Sequence, residues 1–357
     1  MVRVRARGED IRKFIVDNID QNEGVISGVA AAKFGITRQA VNKHLHRLVE
    51  EGCLTVTGKT RSQFYKLAPI QEWEQNYFLS PEPGEDIVWS AHVRGALGQL
   101  PDNVMDIWHY AFTEMFNNAI DHSGSDSAHV KIVKTAATAE MMIHDRGRGI
   151  FRKIQEELRL LDERHAILEL SKGKLTTDPR RHSGEGIFFT SRMVDQFDIL
   201  SGGVYLSHQF GKEEDWILER DVARDGTAIF LKLHNHTARK PSAIFEQYSS
   251  GADDYGFTKT VVPVSLAQYG NDKLISRSQA KRILARVELF KTVMFDFTDV
   301  PTIGQAFADE IFRVFPLQHP EIKIHPINEN SEVKRMIART RHGVHADDSR
   351  GDPRDPR

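Results

Sequence analysis

The stretch TEMFNNAIDHS, residues 113–123, constrains this chain more tightly than any other. Trp108, Phe112, Met115 and Ala119 recur at helical spacing and should face a core. Glu114, Asn118 and Asp121 stand at i, i+4 and i+7, so they form one polar stripe within roughly 60° of each other. That stripe runs beside the apolar face, not opposite it. The fold must therefore bury one flank of this helix and leave a polar pocket along its edge. A carboxylate and an amide on such an edge suit a cation that is itself bound to an anion. Hard cations take oxygen ligands, so magnesium on a triphosphate fits the pair. A glutamate one turn from the amide can take a proton from an attacking water.

A chain of 357 residues is expected to hold more than one domain. Its 40% hydrophobic and 27% charged residues are those of an ordinary globular protein. The net charge of −2 hides an asymmetry, because residues 1–68 carry 12 Lys+Arg against 7 Asp+Glu. A basic head on an acidic body points to nucleic acid at the head. The single cysteine, Cys53, excludes an internal disulfide and is expected in a core. There is no secretory pattern and no apolar run long enough to span a bilayer, so a cytoplasmic location without membrane contact is expected. The predicted class is multidomain α/β. The boundaries are 1–68, 69–237 and 238–340, with a polar, disordered tail at 341–357.

In the first block, EDIRKFIVDNI, ISGVAAAKFG and TRQAVNKHLHRLVEEG read as three helices. Thr37 is the expected N-cap of the third, and Gly35 and Gly52 are stops. CLTVTGKTRSQFYKL then gives two short strands around Gly58. This order resembles a winged helix-turn-helix. Val41, Leu45 and Leu48 fall on the inner face of the third helix, and Arg38, Gln39, Asn42, Lys43 and His46 on the outer. Those outer side chains are the types that reach base edges and phosphates in a major groove. Lys59 and Arg61 at the wing tip are placed to touch backbone phosphate. Double-stranded DNA is the expected partner, read by a homodimer at a two-fold site. The alternative is a solvated helix face in a domain used for protein contacts.

In the second block the elements are expected after the turn-rich LSPEPGED. Strands are predicted at AHVKIVKTA, AEMMIHD, DILSGGVYLS, DWILERD and GTAIFLKLH. HDRGRGI places Asp145 at a strand end, where a carboxylate can accept from an adenine amino group. Gly147 and Gly149 follow and let backbone approach a ligand. RRHSGEGIFF sets Gly184 and Gly186 before an apolar helix, whose first amides favour phosphate. DGTAIFLKL sets Gly226 and Thr227 at the head of a strand. Taken in order, E-x-x-x-N-A, D-x-G-x-G, G-x-G and G-T resemble the GHKL ATP-binding fold. DNA gyrase, sensor histidine kinases and the anti-sigma serine kinases share this α/β sandwich. The resemblance implies ATP and Mg2+ as ligands. It implies Asn118 on magnesium, Glu114 as general base and Asp145 on adenine with Gly147 and Gly149. It also implies Gly184 and Gly186 in a mobile lid, and Thr227 near the adenine end. The lid is expected from Arg164 to His182, with Lys172, Lys174, Arg180 and Arg181 as candidates for the γ-phosphate.

The third block alternates strand and helix three times, and VMFDFTDVPTIGQAFADEIF resembles a STAS-like domain. It looks most like the STAS-like domain of unknown function fused behind such ATPase modules. Gln305 stands where phosphorylated antagonists carry the accepting serine, and glutamine cannot be phosphorylated. The block is therefore expected to bind a protein partner or to couple domains. Asp296 and Asp299 form a candidate pair. The whole reads as an ATP-binding, ATP-hydrolysing, DNA-binding regulator in which nucleotide state controls DNA or partner binding. The alternative is an anti-sigma-type serine/threonine kinase acting on a separate partner.

Overall fold

The computed structural model describes residues 2–22, 24–58, 63–176, 183–212, 216–249, 256–268 and 273–342. Its elements begin with α1 (Val2–Asn18), α2 (Ile26–Phe34), α3 (Arg38–Glu50), β1 (Leu54–Thr57), β2 (Phe64–Leu67) and β3 (Gln71–Phe78). Helices α4 (Glu85–Val88) and α5 (Arg94–Leu97) flank a π-helical turn, and α6 (Asp102–His122) follows. Next come β4 (Ser127–Lys134), β5 (Thr138–Asp145), α7 (Ile150–Leu158), α8 (Glu163–Lys172) and α9 (Gly186–Met193). Two long strands follow, β6 (Gln196–Gln209) and β7 (Trp216–His234). The chain continues through α10 (Pro241–Gln247), β8 (Lys259–Pro263), α11 (Arg277–Leu284) and β9 (Thr292–Asp296). It closes with α12 (Gln305–Asp309), α13 (Phe315–Gln318), β10 (Lys323–Ile327) and α14 (Ser331–His342). The expected tail beyond 342 lies outside the described residues.

Two compact units emerge, one of residues 1–147, 194–198 and 228–239, the other of residues 148–193, 199–227 and 240–357. In the first, the three N-terminal helices close on Ile11, Ile15, Ile19, Val41, Leu45 and Leu48, with Cys53 partly buried against them. Gly35 ends α2 in the left-handed region at φ 62, where a side chain would be strained. Thr37 caps α3 by accepting the Ala40 N–H at 3.2 Å. β1 and β2 pair antiparallel, Leu54 opposite Leu67.

The larger sheet runs β3-β4-β5-β7-β6. Two sequence expectations are corrected here. β3 precedes the turn-rich stretch and pairs along its length with β4, from Gln71–Lys134 to Phe78–Ser127. The two expected strands DWILERD and GTAIFLKLH merge, from Trp216 on, into one strand, β7. Alternation puts Val130, Ile132, Met141 and Ile143 inward, and α6 packs on β5 with Trp108, Phe112, Met115 and Phe116 buried. The Tyr77 ring meets Phe116 edge-on at 5.6 Å. On the outer face Lys232 donates to Asp20 at 2.5 Å and lies 3.0 Å from Glu140. That ion cluster ties the helical block to the sheet.

In the second unit, β10, β9 and β8 form a parallel sheet with β9 central. Phe295, Phe297, Phe307 and Ile311 fill its core. Among the described residues no helix is long and apolar enough to cross a membrane.

One clasp in the first unit is pH-sensitive. Asp195 Oδ2 accepts the His234 backbone N–H at 2.6 Å and its Nδ1 at 2.7 Å, while Oδ1 accepts from Arg239. The hydrogen bond to Asp195 raises the His234 imidazole above its ordinary value, against the opposing effect of burial. Burial alone would raise the Asp195 carboxyl, yet His234 and Arg239 hold it below the usual range. The histidine's contribution is therefore full below about pH 6.5 and lost as pH rises through its raised folded value. The aspartate's contribution is present above its unfolded value and lost on acidification. We expect His234→Gln to lower Tm at pH 6 and the gap to wild type to narrow by pH 9. A gap that stays constant across that range would show that the imidazolium contributes nothing.

Candidate functional site

In the first unit the polar stripe lies where the spacing put it. Glu114, Asn118 and Asp121 are half-buried on α6, while Met115, Phe116 and Ala119 beside them are buried. The Asn118 amide makes no side-chain hydrogen bond among the described residues. Its donor and acceptor are thus available along the edge of the helix.

Asp145 ends β5 and is 6% exposed. Its Oδ1 accepts the Gly147 N–H at 2.8 Å, which fixes both the carboxylate and the start of the loop. Gly147 crosses the end of α6 so closely that a Cβ there would sit 2.0 Å from the Ser123 carbonyl oxygen. Only glycine allows this approach. Ser123 is the first residue that sequence reasoning missed. Its hydroxyl bonds the Ala119 carbonyl at 2.5 Å and receives the Ser125 N–H at 2.9 Å, turning the chain out of α6. The only sequence signal for it is its place before Gly124. Asn118 and Asp145 are thereby set on two packed elements, α6 and β5, with Gly147 joining them.

In the second unit Gly149 has φ 87 and precedes α7. The Ile150 N–H donates to Ser201 Oγ and to Thr227 Oγ1, each at 3.0 Å. Ser201 in turn donates to the Gly226 carbonyl at 3.1 Å. Thr227 is buried, and its hydroxyl holds the far end of the glycine loop. Ser201, in LSGG, is the second residue missed; nothing in its local pattern marks it. Gly184 pairs with Leu175, whose N–H meets the Gly184 carbonyl at 3.0 Å. Gly186 opens α9 and is buried.

The expected lid is corrected in part. Residues Glu163–Lys172 form α8, and Lys172 is fully buried. Its ammonium donates to Glu169 at 2.6 Å and to the Arg282 and Ala285 carbonyls at 3.1 and 2.8 Å. Burial pushes it below the usual lysine range, and the Glu169 charge works against that. Lys174 donates to the Leu289 carbonyl at 2.9 Å and lies over the Phe290 ring. With all three protons spent inside the protein, Lys172 is not available to a γ-phosphate. Arg180 and Arg181 lie outside the described residues.

On α3, Arg38, Gln39, Asn42, Lys43 and His46 are all exposed, while Val41, Leu45 and Leu48 are buried. Lys59 and Arg61 lie outside the described residues. Among the described residues no group of three or more His, Cys, Asp or Glu is arranged to hold a metal alone.

Residues 88–207 match the histidine kinase-like ATPase domain, and residues 279–334 match the STAS-like domain of unknown function. No curated protein matches the chain. The central block is thus a histidine kinase-like ATPase domain, which implies ATP binding, and the C-terminal block is STAS-like.

Two outcomes follow from the packing. Gly147→Ala forces a clash with backbone, so it should lower Tm and weaken ATP at least tenfold, measured by calorimetry. Gly95→Ala, where nothing lies within 4 Å, should do neither. Lys172→Met should cost about 3–5 kcal/mol in urea unfolding, since Glu169 loses a buried partner. A loss near zero would show that the ammonium is dispensable.

Proposed function

We propose that the chain is a DNA-binding regulator that binds and hydrolyses Mg-ATP, its nucleotide state setting its affinity for DNA or a partner. The observation that carries the reading is the half-buried Asn118 amide on α6, without a side-chain hydrogen bond among the described residues, one turn from Glu114, with Asp145 ending β5 in the same histidine kinase-like ATPase domain. Magnesium, when bound, would neutralise phosphate charge, and the Asn118 amide oxygen suits it as a hard ligand. Glu114 takes the proton of the water that attacks the γ-phosphorus, while the bond from that phosphorus to the bridging oxygen breaks and ADP leaves. The buried Asp145 accepts from the adenine amino group, its other duty being to orient Gly147. In this reading Gly149 and Thr227 shape the adenine loop, and Gly184 and Gly186 supply amides to phosphate.

The exposed polar face of α3, over a buried apolar face, supports DNA as partner. A homodimer would present two such helices to a two-fold site, and the STAS-like block is the candidate surface for a protein partner. A second reading draws on Gln305. It is exposed at the start of α12 and has no hydroxyl to accept phosphate. If the domain is a kinase of the anti-sigma type, its acceptor is therefore a separate protein.

The test measures phosphate release and ATP affinity on the wild type and on Glu114→Gln. We expect the variant to bind ATP within about threefold of wild type and to lose at least a hundredfold in turnover. Binding without release in either protein would move the reading to the kinase, checked by label transfer from γ-labelled ATP to a partner. No binding in either would overturn it. For the head, Lys43→Gln should weaken DNA uniformly across sequences and reduce the salt slope by about one. An unchanged slope would remove DNA from the proposal.

A further inference from the structure

We propose that a cleft in the second unit, at the carboxyl ends of β8 and β9, binds a phosphorylated ribose, as carried by a nucleoside monophosphate or a sugar phosphate. The cleft measures about 420 Å³, within the range of small-ligand sites. Residues of α9, α10, the end of β6 and the two strand ends line it. Ligands of open α/β sheets bind outside the carboxyl ends of strands, which is where this cleft lies.

Two charged groups in it are rigidly held and only half spent. Arg192 donates through Nε to Tyr248 at 3.2 Å and through Nη1 to the Phe188 carbonyl and Ser191 Oγ at 3.0 and 2.9 Å. Its guanidinium carbon stacks 3.5 Å above the Phe188 ring. A guanidinium carries five N–H groups, so Nη2 keeps two donors that no described residue accepts. Asp296 shows the complementary pattern. Its Oδ1 accepts the Thr298 N–H at 3.0 Å, the Thr298 hydroxyl at 2.7 Å and Asn328 Nδ2 at 3.1 Å. Its Oδ2 receives no hydrogen bond from any described residue. The two groups line one cleft and form no ion pair with each other among the described residues.

A ligand that meets both must bring an anion for Nη2 and a hydroxyl donor for Oδ2. Phosphate suits the planar guanidinium, and vicinal hydroxyls suit the carboxylate. Lys212 and His208 add basic groups to the lining, Asp299 a second carboxylate, and Phe210 a half-exposed ring on which a base can stack. A free amino acid would satisfy both charges but leave most of a cleft this size empty. The site is independent of the residues assigned to ATP.

The experiment is calorimetric titration of the full chain with guanosine 5′-monophosphate and, separately, ribose 5-phosphate. Saturable binding is expected, weakened at least tenfold by Asp296→Asn and by Arg192→Gln, and unchanged by Asp145→Asn. Thermal melting establishes that each variant is folded. Should Arg192→Gln not fold, Lys212→Gln on the exposed hairpin replaces it, with a two- to fivefold loss expected. Equal affinity for the two probes identifies a sugar phosphate as the source, and tighter binding of the nucleotide identifies a base-carrying ligand. The proposal is overturned if neither probe saturates, if Asp296→Asn leaves binding intact, or if Asp145→Asn removes it. That last result would place the probe in the ATPase site.

Discussion

An ammonium with no exposure to water must be satisfied inside the protein, and Lys172 is such a group. Its three protons have three acceptors, one carboxylate and two carbonyls at the end of α11. Glu169 uses its second oxygen on Arg286 at 2.9 Å, and Arg286 also reaches the Gly173 and Lys174 carbonyls. The Thr260 hydroxyl closes the set on the Lys172 carbonyl at 2.7 Å. No member can leave without stranding another, because each buried charge depends on the same few partners. The cluster fixes α8 and the residues that follow it against α11 and β8. The end of α8 is thus anchored to residues of the STAS-like block.

The loop after β5 rests on a different constraint, steric rather than electrostatic. Gly147 has no room for a side chain against Ser123, and Asp145 spends one oxygen on the Gly147 amide. The carboxylate is thus oriented by the same turn that brings backbone to the end of α6. Gly149 ends the loop, and two hydroxyls, Ser201 and Thr227, share the Ile150 N–H that opens α7. Such preorganisation costs side-chain and backbone entropy once, in folding, and not again when a ligand arrives.

What could be read in the sequence follows from the range of each interaction. The stripe on α6 and the two faces of α3 are set by residues three and four apart, and both stand as spacing predicts. The Asp145 turn was legible for the same reason. β3 was not, because Glu72, Glu74 and Asn76 leave only Trp73, Gln75 and Tyr77 to signal an inward face, and its strand character comes from pairing with the distant β4, from Gln71–Lys134 to Phe78–Ser127. The sequence pattern divides β7 at residues 222–225, since Asp225 before Gly226 carries turn chemistry that the ladder overrides. The sequence offers Lys172 as a cation for the γ-phosphate, yet it is fully buried. Its burial depends on Arg282 and Ala285, more than a hundred residues away, which no local pattern encodes.

In the STAS-like block the turn into α12 is held by close packing. Gly304 meets the neighbouring segment so closely that a Cβ would lie 2.7 Å from the Ile275 Cα, and its N–H bonds the Leu274 carbonyl at 2.7 Å. Leu274 and Ile303 pair as an isolated parallel bridge. The turn into α12 is therefore stitched in place, and it presents Gln305 outward, a side chain that can accept hydrogen bonds but not a phosphoryl group. At the end of β9, Asp296 and Thr298 form a hydrogen-bonded turn. Three donors meet one carboxylate oxygen of Asp296, the Thr298 N–H and hydroxyl and the Asn328 amide. Their joint effect is to aim the other oxygen in a fixed direction, and that direction is what a ligand would read.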